Sequence, residues 1–323
     1  MGLRWSGVAK WVRVLAWCCA GGVTALLVQA EVPRLDLPPG VVARTNFVYR
    51  TVGDHRAKLD VYLPTGPAPA GGRPAVVAIH GGGWCGGSRI SYGRSAAVLA
   101  RHGYAVIAID YRLSGPASPS WPENIEDVRE AVRWVRRHAS EFGVDPGRIA
   151  AMGASAGGHL AALLGTDPDG PTGVEGPVPP AGEVSARVQA VIDFYGPIDL
   201  RALYALHLDP TGSIALFLGG TPDDAPGRYE AASPIRHVSR DDPPMLLIHG
   251  NDDSSVPLDQ SKALALALAR ADVRHRLIVV AEARHGFGFQ FGRHDFLPDI
   301  LDFLQSVWNV NPVAGRRPTG AAR

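Results

Sequence analysis

Six short, largely apolar runs recur along this chain: Ala75 to Ile79, Ala105 to Ile109, Ile149 to Met152, Val188 to Phe194, Met245 to Ile248 and Leu277 to Val280. Runs of this length without polar alternation read as parallel strands buried on both faces. Helical patterns separate them: Tyr92 to Arg101, Asn124 to His138, Ala156 to Leu164, Leu258 to Ala269 and Ile300 to Trp308. The second is the clearest. It carries Ile125, Val128, Val132 and Val135 on one stripe, and its pattern stops at Gly143 before a turn at Asp145-Pro146-Gly147. Ahead of the alternation, Asn46 to Arg50 and Lys58 to Leu63 flank Gly53-Asp54 and read as a β-hairpin ending at Pro64. Strands alternating with helices predict an α/β fold with a doubly wound, mostly parallel sheet, whose ligands sit at the carboxyl ends of the strands.

Two stretches break the alternation. Asp167 to Gly182 is rich in Gly and Pro and reads as an exposed loop; Arg201 to Arg240 reads as irregular, with short helical pieces near Ile214 to Leu218. Candidate cap elements therefore lie within residues 165–187 and 201–240, with a passive surface insertion as the alternative. With 323 residues, 46% of them hydrophobic and 20% charged, the chain can bury one large core. Its 32 Lys plus Arg nearly balance 31 Asp plus Glu with no long run of one sign, so nothing points to nucleic acid or an anionic membrane surface.

Residues 1–30 read as a secretory signal peptide. Arg4, Lys10 and Arg13 precede an apolar stretch from Val14 to Val28, and Val28-Gln29-Ala30 offers small residues at a cleavage site after Ala30. A retained anchor is the rival, but the stretch falls short of the ~20 residues that span a bilayer. A lipoprotein signal at Cys18 or Cys19 fits poorly after the bulky Trp17. The expectation is a secreted, periplasmic or extracellular domain over residues 31–323 with no stable membrane association. Cleavage would remove three basic residues, taking the net charge from +1 to −2, and leave Cys85 as the one cysteine, so no intramolecular disulfide is expected.

The chemistry-bearing residues fall where the predicted strands end. Gly153-Ala154-Ser155-Ala156-Gly157 follows a strand and opens a helix, the context in which Gly-x-Ser-x-Gly presents an exposed nucleophile on a sharp turn. A serine hydroxyl needs a base to take its proton and a third group to orient that base. His285, in Ala283-Arg284-His285-Gly286-Phe287, follows the last strand and comes after the serine in the order such a site requires. The other histidines read blandly: His138 on a helix's polar face, His207 and His237 in irregular segments, His275 at a strand start. The acid is expected in the loop after Met245 to Ile248, where Asp252 and Asp253 compete; Asp253 has more reach from the strand end. The glycines of His80-Gly81-Gly82-Gly83-Trp84 let backbone amides approach a substrate, and with the Ala156 amide form an oxyanion arrangement. Cys85 lacks an elbow and reads as packing or incidental. Nothing implies a metal or a cofactor.

These segments together resemble the α/β-hydrolase esterases, specifically the branch of feruloyl esterase-like and short-acyl carboxylesterases related to the hormone-sensitive lipase group. The likeness runs from Leu59-Asp60-Val61-Tyr62-Leu63-Pro64 through Asp110-Tyr111-Arg112-Leu113, Phe142 to Ile149, Ser155 to Ala161 and Asp193-Phe194-Tyr195-Gly196-Pro197 to His285-Gly286-Phe287. The resemblance implies the α/β-hydrolase fold, a triad of Ser155, Asp253 and His285, and oxyanion donors at Gly82, Gly83 and Ala156. It places the acid three residues before Val256-Pro257, hence at Asp253. Hormone-sensitive lipase relatives usually carry an acidic residue before the nucleophile and a helical amino-terminal cap. Here Ala154 stands before Ser155, and strands begin soon after the leader, which favours the feruloyl esterase-like branch, an open site and short or aryl acyl esters. The expected activity is that of a carboxylesterase on a small-molecule ester, including feruloyl or acetyl esters of carbohydrates. An amidase, arylformamidase or peptidase would share the triad, while a non-catalytic binding protein would have no need of the full set.

Overall fold

The computed structural model describes residues 37–170, 184–209 and 211–308. Gly53, at φ +56°, turns the chain so that β1 (Val41–Val52) pairs antiparallel with β2 (His55–Pro64), the expected hairpin with longer arms. β2 in turn pairs antiparallel with β4 (Ala105–Ile109). From there every neighbour is parallel. The sheet runs β1-β2-β4-β3-β5-β6-β7-β8, with β3 at Arg73–Ile79, β5 at Val144–Ala154, β6 at Ala190–Phe194, β7 at Met245–Gly250 and β8 at His275–Val280. The strand order reverses at β3, and the site forms beside that point, outside the carboxyl ends of β3 and β5.

Alternate residues of each central strand enter two separate cores, one on each face of the sheet. Val77 and Ile79 face a core containing Ile125, Leu160 and Leu264, from α2 (Glu123–Arg137), α4 (Ala156–Thr166) and α8 (Asp259–Arg270). Val76 and Ala78 face the other, with Leu99 from α1 (Gly93–Arg101) and Leu304 from α9 (Leu297–Trp308). The strands β3, β4, β6 and β7 are buried almost throughout, as continuous apolar runs require. β8 departs from that expectation. It is the sheet's edge, and Val279 is 48% exposed there.

Three local readings change. The helix expected over Asn124 to His138 is α2, which ends at Arg137, and a separate turn, α3 (Ala139–Phe142), follows and is closed by Gly143 at φ +61°, where the pattern is expected to stop. His138 is the cap between the two, and its ring stacks on Trp134 at 4.0 Å instead of standing on a polar face. Asp145-Pro146-Gly147 is not a free turn but a bulge inside β5, where the Gly147 N–H donates to Asp145 Oδ1 at 2.8 Å while the register slips between Arg73 and Ala75. The described part of residues 201–240 holds α5 (Leu200–His207), α6 (Ser213–Leu218), α7 (Pro226–Ala231) and a 3-10 turn at Pro234–Arg236; α6 is the helical piece expected near Ile214 to Leu218, and the rest is more regular than its sequence suggests. The expected leader, residues 1–30, and most of the 165–187 segment lie outside the described residues.

Candidate active site

Ser155 occupies the turn between β5 and α4 with φ +56° and ψ −124°, a conformation that costs a side-chain-bearing residue of order 1–3 kcal/mol. The flanking glycines make the turn possible. A Cβ on Gly153 would lie 2.1 Å from the Gly157 carbonyl oxygen, and one on Gly157 would lie 2.0 Å from that of Ile79. Helix α4 therefore begins against the backbone at the end of β3, which brings Ser155 beside the glycine loop that follows. Gly157→Ala is expected to destabilise the protein by about 3 kcal/mol, because the clash is with buried backbone that cannot rotate away. Chemical denaturation measures this, and a loss under ~1 kcal/mol would contradict the packing described.

The structure brings Ser155, His285 and Asp253 into one hydrogen-bonded line. The Ser155 hydroxyl is 2.8 Å from His285 Nε2, and His285 Nδ1 is 2.7 Å from Asp253 Oδ2. A carboxylate only accepts, so Nδ1 carries the ring proton and Nε2 presents its lone pair to the hydroxyl. Asp253 leaves β7 on a loop and is buried; its Oδ1 accepts from the backbone N–H of Ser255 at 3.0 Å and of Val256 at 2.9 Å. Burial pushes its carboxyl pKa up, but the His249 ring 3.5 Å from Oδ2 and the hydrogen bonds from His285 and the Val256 amide outweigh that and hold it well below the usual carboxylate range. His249 itself donates from Nε2 to the Val256 carbonyl at 2.7 Å, which ties the acid loop to β7. Asp252 goes elsewhere, to an ion pair with Arg284 at 3.0 Å on the exposed surface.

Gly82 and Gly83 follow β3 with φ +122° and +59°, values open to glycine. The Gly82 carbonyl accepts from the amides of Cys85 (3.1 Å) and Gly86 (3.0 Å), closing the loop into a turn. The amides of Gly82 and Gly83 donate to no protein acceptor among the described residues. Ala156 is the first residue of α4, so its N–H has no carbonyl one turn back. All three residues line the same cavity as Ser155 and His285, with a volume of about 790 Å³. Cys85 is exposed, and desolvation raises its thiol pKa, opposite to an activated nucleophile.

Several cavity residues escaped the sequence reading. The aromatic side chains of Phe194, Tyr195, Phe287 and Phe289 form much of the lining; Tyr195 sets its ring 4.8 Å from that of His285 and donates its hydroxyl to the Phe287 carbonyl, bracing the histidine loop. Tyr195 and Phe287 stood in the segments that carried the resemblance, but their direction depends on the fold. Leu203, His207, Ser213 and Ile214 bring the 201–240 segment into the cavity. His207 ends α5 and donates from Nε2 to the Ser255 carbonyl at 3.0 Å, so it is joined to the acid loop and is not a stray loop histidine.

A mostly parallel eight-stranded sheet with a strained serine on the β5–α4 turn and a histidine–carboxylate pair delivered from beyond β7 and β8 defines an α/β-hydrolase. Within that class the chain belongs to the BD-FAE family, an esterase family, which it matches over residues 59–268. It is 35% identical to the probable carboxylic ester hydrolase LipM of Mycobacterium tuberculosis, over 71% of this chain and 53% of that protein. The chain thus spans from about half to two thirds of the length of curated relatives such as LipM and the esterase LipC of the same organism, 53% and 66%. Among solved structures, a truncated carbohydrate esterase from gut microbiota superposes with a TM-score of 0.72 at 29% identity, covering 83% of this chain and 97% of that one. Esterase 2 of Thermogutta terrifontis with propionate bound gives 0.65 at 34% identity, covering 84% and 93%.

Proposed function

We propose that this chain hydrolyses carboxylic esters through a Ser155 acyl-enzyme, with short acyl or aryl acids, including acetyl and feruloyl esters of carbohydrates, as its substrates. The observation that carries the reading is the line from Ser155 to His285 to Asp253 at 2.8 and 2.7 Å on the wall of a roomy, aromatic-lined cavity. His285 accepts the serine proton as Ser155 attacks the ester carbonyl, and Asp253 stabilises the imidazolium that forms. The amides of Gly82, Gly83 and Ala156 receive the developing oxyanion. His285 then returns the proton to the leaving alcohol, and water releases the acid by the same steps in reverse order. The carbohydrate side of the proposal draws on the family match and on the carbohydrate esterase among the structural neighbours. Export follows from the reading of residues 1–30 and is tested by finding the mature amino terminus at residue 31 in the extracytoplasmic fraction.

A panel of acetyl, butyryl, octanoyl, hexadecanoyl and feruloyl esters with an aryl formamide tests the substrate class on purified protein. We expect kcat/KM to be at least about tenfold higher for butyryl than for hexadecanoyl esters, since a channel that held a long chain would gain up to ~1–3 kcal/mol per methylene. A steady rise toward hexadecanoyl would reverse the assignment to short acids. A preference for the formamide would move the enzyme to the amidases.

A further inference from the structure

A second histidine stands one helical turn beyond the nucleophile, and its two ring hydrogen bonds have no part in the proton relay. His159 lies on α4, its backbone N–H donating to the Ser155 carbonyl at 2.9 Å, and it is completely buried. Its Nε2 is 2.6 Å from the Ala232 carbonyl, and its Nδ1 is 3.1 Å from the indole Nε1 of Trp84. The partners fix the tautomer. A carbonyl only accepts and an indole N–H only donates, so His159 carries its proton on Nε2 and offers the Nδ1 lone pair to Trp84. Desolvation lowers its pKa to about 4, which keeps the ring neutral and able to accept.

Trp84 is the residue after Gly83, and it is buried although its backbone sits at φ +58°. That left-handed conformation is unfavourable for tryptophan and persists only where its surroundings impose it. Its indole stacks on Phe217 of α6 at 4.6 Å with an interplanar angle of 11°, and its carbonyl accepts from the Ser114 N–H at 2.8 Å. Gly82 and Gly83 have no side chains with which to hold their own amides in place. They are held by the turn that the Gly82 carbonyl closes with Cys85 and Gly86, and by the anchored residue that follows Gly83.

Resting on the esterase reading above, we propose that His159 is a positioning residue for the oxyanion loop. By accepting the Trp84 indole N–H it fixes the turn that points the Gly82 and Gly83 amides into the cavity, and by donating to Ala232 it couples that turn to the helical insertion. The nucleophile and the loop that receives the oxyanion are thereby referenced to one helix, since Ser155 precedes α4 and His159 lies within it. An oxyanion hole works through preorganised donors, so a loop released from this hold loses transition-state stabilisation more than substrate binding.

The two bonds can be separated by substitution. The amide of asparagine falls near the position of Nδ1, and that of glutamine near Nε2. His159→Asn therefore retains an acceptor for Trp84 and gives up Ala232, whereas His159→Gln retains a donor for Ala232 and gives up Trp84. Trp84→Phe keeps an aromatic ring on Phe217 and removes the N–H together with part of the indole. We expect His159→Gln and Trp84→Phe to lower kcat about 10-fold or more, short of the ~10²–10³ for deleting a donor outright, with KM within about twofold. His159→Asn should lose distinctly less. Active-site titration with a covalent serine label expresses each kcat per folded site, so a change in stability alone does not register. If His159→Gln fails to fold, Trp84→Phe decides the matter. Wild-type ester hydrolysis and its loss in Ser155→Ala test the underlying reading separately. With the wild type active, an unchanged kcat in Trp84→Phe, equal losses in the Asn and Gln variants, or a loss confined to KM would overturn the proposal.

Discussion

Ser155→Ala is expected to lower kcat for a short ester by a factor on the order of 10⁴ to 10⁶ and to leave the fold standing. Without the hydroxyl there is no acyl-enzyme, and what catalysis remains must come from water acting in a cavity that still has its oxyanion donors. Stability should change little. The side chain is half-buried, its hydroxyl bonds His285 alone among the described residues, and a neutral hydrogen bond of this kind contributes only about 0.5–1.5 kcal/mol net. Alanine also inherits the same φ of +56°, so the strain of the turn is carried over, not relieved. The measurements are kcat of the purified variant, its thermal unfolding beside the wild type, and the site of attachment of a covalent serine inhibitor. Retained turnover, or inhibitor attached to a residue other than Ser155, would remove the nucleophile from the proposal.

What the sequence made legible was the part of the site that local chemistry dictates. Gly153 and Gly157 signal a turn no larger residue could make, Gly82 and Gly83 signal close backbone approach, and the apolar runs say which strands deliver them. Both required partners of Ser155 also came after it at strand ends, and the structure draws them within hydrogen-bond distance. The remainder depends on contacts between segments far apart in the chain. Nothing around His159 announces that its ring reaches Trp84, 75 positions earlier, and Ala232, 73 positions later. His207 looked incidental because its helix is only eight residues long and its partner, the Ser255 carbonyl, is set by how α5 lies across the acid loop. β8 misled for a different reason. Hydrophobic periodicity does not distinguish a central strand from an edge, and that depends on strand order.

The second large effect is expected at Asp253, where asparagine should lower kcat by a factor on the order of 10⁴ with the protein folded. The reason lies in which oxygen does what. Oδ1 accepts two backbone N–H groups, from Ser255 and Val256, while Oδ2 faces His285 at 2.7 Å. In Asp253→Asn those two amides will hold the one remaining oxygen at the Oδ1 position, because an NH₂ group there would confront two donors. The NH₂ is then turned toward His285 and donates to Nδ1. That moves the ring proton to Nε2, where it points at the Ser155 hydroxyl, so the histidine can no longer take the proton it must accept. Asp252→Asn disturbs an exposed ion pair with Arg284 worth no more than about 1 kcal/mol, and should change kcat less than about threefold. Both variants are to be compared at matched fractions folded, by thermal unfolding, across a pH range in which the wild type is active. If the larger loss fell at Asp252, or if Asp253→Asn kept more than about a tenth of wild-type kcat against the expected 10⁴-fold fall, the acid would have been assigned to the wrong residue.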